Sequence, residues 1–333
     1  MKYPKNIAKG DTIHVTAPSS GIGDDVKERS LSLSAFKNAG FNIIETDDVM
    51  ATDDEPAVAS VRAMELMEVL SSKESSMVLS ASGGDFMDEI LDLIDFDELK
   101  DLDKWFQGYS DNTNLTFTLT ALNDIATIYG TNFKGFAMKT LHKSLEDSIK
   151  ILLGEDIVQE SFDRHQRGFL TTDEGYDLNT ESKLSVINAP TGDGNFRFKG
   201  RMIGGCLDVL RNLVGTPYGD ICGFLKKYEN DGFIWYFDIF ALTSEDTYHS
   251  LLQMKRAGWF ENVKAVIVGR VCFEKTMADM TYEEAFMRLF GEDVPMLFGA
   301  DVGHVSPSFT IINGAIADIE VKDLKINLKF IRE

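Results

Sequence analysis

The chain is poor in the features that mark secreted, membrane-spanning and metal-dependent proteins. Its 333 residues include three cysteines, Cys206, Cys222 and Cys272, an odd number with no CxxC spacing. That excludes a disulfide framework and points to a reducing, cytoplasmic setting. No stretch approaches the ~18 uninterrupted apolar residues of a membrane span. The opening residues, MKYPKNIAKGDTIHVTAPSS, lack the apolar core of a signal peptide. Positive charge is scarce too: 33 Lys and Arg against 54 Asp and Glu leave a net charge of −21. Such a surface repels phosphate backbones and anionic lipid, so nucleic acid and membrane are not expected partners. The densest acidic run, Asp85 to Asp103, reads as a solvated helix face. No HExxH, P-loop or GxGxxG motif is present. The glycine-rich Thr191-Gly192-Asp193-Gly194-Asn195 leads into a strand-like segment, which argues against a phosphate cradle. Neither a metal nor a cofactor is expected.

What remains is an ordinary globular composition, 44% apolar and 26% charged, in a chain too long for one core. In the first half, strands alternate with helices. Thr12–Ala17 reads as a strand closed by Pro18-Ser19-Ser20-Gly21, and Val26–Ala39 as a helix stopped by Gly40. Strands at 41–46, 77–81 and 105–109 follow, with helices over 57–70 and about 113–123. This alternation implies a parallel sheet covered on both faces. Residues 160–200 are polar and turn-rich, and suggest an interdomain crossing with short hairpins. Beyond them come a helix near 205–214, the apolar strand 233–240, a helix over about 245–257, a strand at 265–269 and short strands from Gly314 to Phe330. The expected architecture is α/β: an N-terminal doubly wound, mostly parallel domain over 1–160, a linker over 161–185, and a smaller C-terminal α/β domain with a mixed sheet over 186–333.

The sharpest local signal is Gln107-Gly108-Tyr109-Ser110-Asp111-Asn112, where a strand runs through a tight turn into a helix. This is the layout of a nucleophile elbow, which lifts a serine above the carboxyl edge of a sheet. The helix start behind it offers free N–H groups to a developing oxyanion. Asn112 stands where the common GxSxG form has its second glycine, and a serine at a helix start is also a natural cap. Ser82-Gly83-Gly84-Asp85, at the end of the preceding strand, reads either as an oxyanion donor or as a plain turn. Of the five histidines, His14 alternates within a strand, His142 and His249 lie in helical patterns, and His165 sits in a polar loop without a metal partner. His304 differs, in the turn-rich Asp301-Val302-Gly303-His304-Val305-Ser306-Pro307. A loop at a strand end is where a general base is commonly mounted.

Five segments, in order, resemble the serine LD-carboxypeptidases, including the branch around the microcin C self-immunity protein. They are GDTIHVTAPSS (10–20), SGGDFMDEILDLIDFDEL (82–99), KWFQGYSDNTNL (104–115), GRMIGGCLDVLRNLVGTPY (200–218) and FGADVGHVSPSFTIINGA (298–315). The resemblance implies Ser110 as nucleophile, His304 as base, and an oxyanion hole from the backbone N–H groups of Asp111 and of the Gly83-Gly84 pair. The family's third triad member is a Glu at the end of the strand entering the second domain. Here that place holds Asp238, one methylene shorter, with Glu245 and Asp246 as possible substitutes. Cys206 stands where the family more often shows Asn, and reads as a small buried residue.

The implied activity is hydrolysis of an L,D-amide bond in a muropeptide, without cofactor, by a cytoplasmic homodimer. The immunity-type alternative takes an aminoacyl-nucleotide analogue in place of a small peptide, and SGGDF, lacking the Arg and Tyr common in the carboxypeptidase branch, leans that way. That chemistry calls for an aromatic platform, for which Phe162, Phe169 and Tyr176 are candidates. A third reading is a small-molecule binding protein that kept the fold and lost turnover.

Overall fold

The computed structural model describes residues 1–168, 171–172, 174–192 and 194–332, so Phe169 and Asp193, named above, lie outside the described residues. The chain divides into two compact units of nearly equal length. One comprises Met1–Asp156, Thr171–Tyr176 and Thr310–Ile312, the other Ile157–Leu170, Asp177–Phe309 and Asn313–Glu333.

The first unit is built on a six-stranded sheet in the order Ile311–Asn313, Thr127–Tyr129, Trp105–Gly108, Met77–Ser80, Thr12–Thr16, Asn42–Glu45. The last five strands pair in parallel. Every residue of Met77–Ser80 and Trp105–Gly108 is buried, as expected of strands covered on both faces. Helix Val26–Ala39 begins where Asp25 accepts the N–H groups of Lys27 and Glu28. It ends where Gly40 takes up a left-handed conformation at φ 99°. Strand order reverses beside Thr12–Thr16, and a ligand site is expected at the carboxyl ends of the strands around such a switch point. The loops leaving those ends carry Ser19, the Gly83-Gly84 pair and Ser110.

The second unit holds an eight-stranded mixed sheet in the order Ser185–Ile187, Met296–Ala300, Val263–Gly269, Phe233–Asp238, Phe196–Cys206, Ile316–Lys322, Lys325–Ile331, Gln159–Glu160. Its four central strands, from Met296–Ala300 to Phe196–Cys206, are mutually parallel, and the flanking pairs are antiparallel. Trp235 and Phe237 stack at 5.8 Å, and Trp259, Phe260 and Phe286 close around them. Each fully buried aromatic side chain stabilises the unit by about 1.5–3 kcal/mol. Because the four strands run the same way, their carboxyl ends share one edge: Cys206, Asp238, Gly269 and Ala300.

Two readings change. The helix expected near 205–214 starts at Leu207, because the preceding strand runs on to Cys206. Gly204 lies so close to the Tyr236 carbonyl that a Cβ there would overlap it, so this glycine serves strand packing. The acidic run 85–103 is no continuous helix but a chain of 3-10 turns, Met87–Leu93 and Glu98–Asp101. Between them Asp95 accepts the N–H groups of Asp97 and Glu98 and breaks the helical ladder. No helix among the described residues is long and apolar enough to cross a membrane.

Glu65, on helix Ala59–Ser71, faces the buried Asp48. Glu65 Oε2 and Asp48 Oδ2 are both shielded from solvent with no donor among the described residues. Burial first, then the neighbouring Asp48 carboxyl, pushes Glu65 up to about 7 from 4.5. A raised acid keeps its proton in the folded state. Its stabilising effect is therefore complete below the unfolded value and is lost as pH rises toward about 7. Glu65→Gln should flatten this dependence: between pH 5 and pH 8 the urea midpoint of the variant should fall less than that of the parent chain.

Candidate active site

The first unit presents a serine on a constrained turn. Ser110 follows strand Trp105–Gly108 and has φ 64°, a left-handed value that costs a non-glycine residue about 1–3 kcal/mol. Its surroundings hold it there. The Tyr109 N–H donates to Asn132 Oδ1 at 3.0 Å, and the Ser110 N–H donates to the Tyr129 hydroxyl at 3.3 Å. Asn112 Nδ2 donates to the carbonyls of Ser82 at 2.9 Å and Tyr109 at 3.1 Å. Asn112 therefore ties the serine turn to the glycine-pair loop, a job a second glycine in its place would leave undone. A Cβ on Gly108 would lie 2.7 Å from the Asn112 side chain, so the turn requires glycine there.

Gly83 backs onto the serine: a Cβ there would stand 3.0 Å from Ser110 Cβ and 3.1 Å from its Oγ. Gly84 is pressed against Ser19 and Ser20 in the same way. Among the described residues, no protein acceptor takes the backbone N–H of Gly83, Gly84 or Asp111. The Asp111 side chain has a role that sequence reading missed. Buried, it accepts from the Ser19 hydroxyl, from the Met87 N–H at 2.8 Å and from Asn114 Nδ2 at 2.9 Å. Burial pushes its carboxyl above the usual range, while the Ser19 and Met87 hydrogen bonds oppose that shift.

The second unit presents an acid and an imidazole at the shared strand edge. Asp238 ends strand Phe233–Asp238 with no exposed surface, and its Oδ2 lies 2.6 Å from His304 Nδ1. Its Oδ1 accepts the backbone N–H of His304 at 3.2 Å. One carboxylate thus addresses both the ring and the main chain of a single residue. A carboxylate at Nδ1 keeps the proton on that nitrogen and leaves Nε2 with its lone pair, the tautomer a general base needs. The Phe240 ring lies 4.6 Å from the imidazole. Gly303 has φ +88°, and a Cβ there would overlap the Asp238 carboxyl. The absent side chain is what lets the shorter acid come close.

Asp208, which sequence reading also passed over, holds the chain that leaves Asp238. Its carboxylate accepts the N–H groups of Phe240, Ala241 and Leu242 at 3.0, 2.9 and 3.1 Å. Glu245 and Asp246 lie in the first turn of helix Ser244–Arg256, where Thr243 Oγ1 accepts the Asp246 N–H at 3.0 Å. Thr243 caps that helix, and the acid beside His304 is Asp238.

Cys206 Sγ, the Asp238 carboxylate and a His304 ring nitrogen lie within 4.8 Å of one another, a grouping that could hold a soft metal ion. Burial, with Asp238 and Asp208 nearby, pushes the Cys206 thiol well above its ordinary value.

The other histidines are engaged elsewhere. His14 Nδ1 lies 3.2 Å from the Ser75 hydroxyl, and His142 accepts the Ser144 N–H at the start of helix Lys143–Leu152. His249 is exposed on helix Ser244–Arg256, its side chain 63% accessible. His165 lies 3.2 Å from Ser182 and is pushed down to about 4 by burial, Arg270 and Arg164. Of the proposed platform residues, Phe162 packs 6.2 Å from Phe309 and Tyr176 packs 5.2 Å from His142.

Comparison with known proteins identifies the family. Residues 13–130 match the LD-carboxypeptidase N-terminal domain and residues 199–319 the LD-carboxypeptidase C-terminal domain. The chain is 25% identical to the microcin C7 self-immunity protein MccF of Escherichia coli, over 97% of this chain and 94% of that one. It is 26% identical to a probable murein peptide carboxypeptidase of Bacillus subtilis, over 94% and 90%. The crystal structure of an MccF-like protein from Bacillus anthracis superposes with a TM-score of 0.81 at 20% identity, covering 100% of both chains.

Gly303→Ala should separate Asp238 from His304 and destabilise the second unit by about 1–3 kcal/mol. Urea unfolding followed by tryptophan fluorescence, with Trp235 and Trp259 in that core, would read the loss.

Proposed function

The chain belongs to the LD-carboxypeptidase family of serine peptidases, and on that premise we propose that it hydrolyses an L,D-amide bond of a muropeptide with Ser110, His304 and Asp238. The observation that carries the reading is the buried pair of Asp238 and His304, with Oδ2 2.6 Å from Nδ1.

The chemistry runs as acyl transfer. Nε2 of His304 takes the proton of Ser110 Oγ, which is a poor nucleophile until that proton leaves. The oxygen adds to the carbonyl carbon on the L side of the scissile bond. The negative charge that develops on the carbonyl oxygen meets the backbone N–H groups of Asp111 and Gly83, which have no protein acceptor among the described residues. The imidazolium, stabilised by Asp238, returns its proton to the leaving amine of the D-amino acid. Water then attacks the Ser110 ester, again with His304 as base, and restores the serine. No step calls for a metal or cofactor.

A second reading is favoured by one observation. The microcin C7 self-immunity protein matches along almost the whole of both chains. Solved structures of MccF hold aspartyl sulfamoyl adenosine and glutamyl sulfamoyl guanosine, and superpose on this chain with a TM-score of 0.78. In this reading the same three residues cleave an aminoacyl-nucleotide analogue.

Purified protein should release D-alanine from an L,D-linked tetrapeptide. Ser110→Ala is expected to lower kcat by roughly 10⁶-fold and Asp238→Asn by about 10⁴-fold. No release by the parent chain would eliminate the muropeptide reading, and turnover of aminoacyl sulfamoyl adenosine would then select the second.

A further inference from the structure

His304 rides on a loop, and a base on a loop needs bracing if its ring is to stay within a fraction of an ångström of a working position. Asp238 fixes the ring and one main-chain N–H. The rest of the bracing comes from a buried arginine outside the triad.

Arg270 is the first residue beyond strand Val263–Gly269 and is only 8% exposed. Gly269 pairs in register with Ala300 on the neighbouring parallel strand, so Arg270 emerges beside Asp301, where the histidine loop begins. Its guanidinium spends itself on that loop. Nη2 donates to Asp301 Oδ1 and, at 3.1 Å, to the Ser182 hydroxyl. Nη1 donates to the carbonyls of Val305 and Pro307, each at 3.4 Å. One rigid fork thus grips the loop on both sides of His304. Asp301 is 2% exposed and also accepts the Phe162 N–H at 3.3 Å, while its own carbonyl accepts the Phe309 N–H at 2.7 Å. The Gln166 N–H donates to the Ser306 carbonyl at 2.9 Å.

We infer that Arg270 is the positioning residue for His304, holding the loop 301–307 through its fork so that the imidazole keeps its place against Asp238. The inference rests on the reading of His304 as general base. A planar guanidinium presents donors in fixed directions and can bridge a carboxylate and two carbonyls at once. A lysine ammonium carries the same charge but cannot reproduce that fork. Desolvating a guanidinium is costly, and here the cost is offset by a buried carboxylate and three further acceptors.

The test compares Arg270→Lys with the parent chain. Steady-state kinetics on the tetrapeptide should show kcat lowered about 10- to 100-fold with KM nearly unchanged, the signature of a displaced base. Labelling by a fluorophosphonate should slow in parallel. The downfield proton resonance of His304 Nδ1–H, assigned by its loss in His304→Gln, should broaden or move. Ser182→Ala removes a single contact of the fork and should shift the same readouts more weakly, so it decides the matter if Arg270→Lys does not fold. An unchanged Nδ1–H resonance in the folded variant would overturn the inference, as would a kcat falling only in proportion to the folded fraction. A parent chain that never labels, combined with a resonance that moves in Arg270→Lys, would refute the serine-hydrolase reading and leave the positioning role standing.

Discussion

A carboxylate with no exposed surface survives in a protein only where donors surround it. Asp238 meets that condition by facing one residue twice, ring and main chain of His304. Much of the strand edge in the second unit is arranged around this need. Gly303 gives up its side chain so that the carboxylate can come close, and Asp208 collects three N–H groups just beyond the acid. Arg270 grips the loop from the next strand along. The parallel strands make this economical, because residues far apart in sequence arrive side by side at the same edge.

The first unit solves a different problem, keeping an alcohol in a strained backbone position. Ser110 sits at positive φ because Gly108 admits the Asn112 side chain, and because Asn112 and Asn132 satisfy the carbonyls and N–H groups that a tight turn leaves over. Strain of this sort persists where the neighbourhood over-determines it. Asp111 adds a buried carboxylate that draws Ser19 and the chain at Met87 toward the same turn. Three strand-end loops are thereby fastened into one platform, at the switch point where an open α/β sheet is expected to bind its ligand.

The doubly wound first sheet was legible in the sequence because each element carries a local mark. Helix Val26–Ala39 has its Asp25 cap and Gly40 stop, and the elbow has Gly108 before a serine and a helix. The carboxylate runs of residues 85–103 misled because charge and apolar spacing imitate an amphipathic helix, while Asp95 quietly turns the chain. The pairing of Asp238 with His304 was accessible only through family resemblance, since no spacing links residues 66 positions apart. Asp208, Gly303 and Arg270 were not legible at all. Each acts on segments distant in sequence, Asp208 from a helix, Gly303 from a loop and Arg270 from a strand end, and such contacts are written in tertiary packing rather than in any short motif.

The close approach at Gly303 also bears on how such a site can change over generations. A glutamate at the end of the same strand would carry its carboxylate a methylene farther, into a loop already drawn in to meet an aspartate. Conversely, a loop set back for glutamate would leave an aspartate out of reach of its histidine. The acid and the loop are therefore epistatic. A lineage moving between the two acids must shift several residues together or pass through an ancestor with a weakened pair, which makes Asp238 and Gly303 a heritable unit.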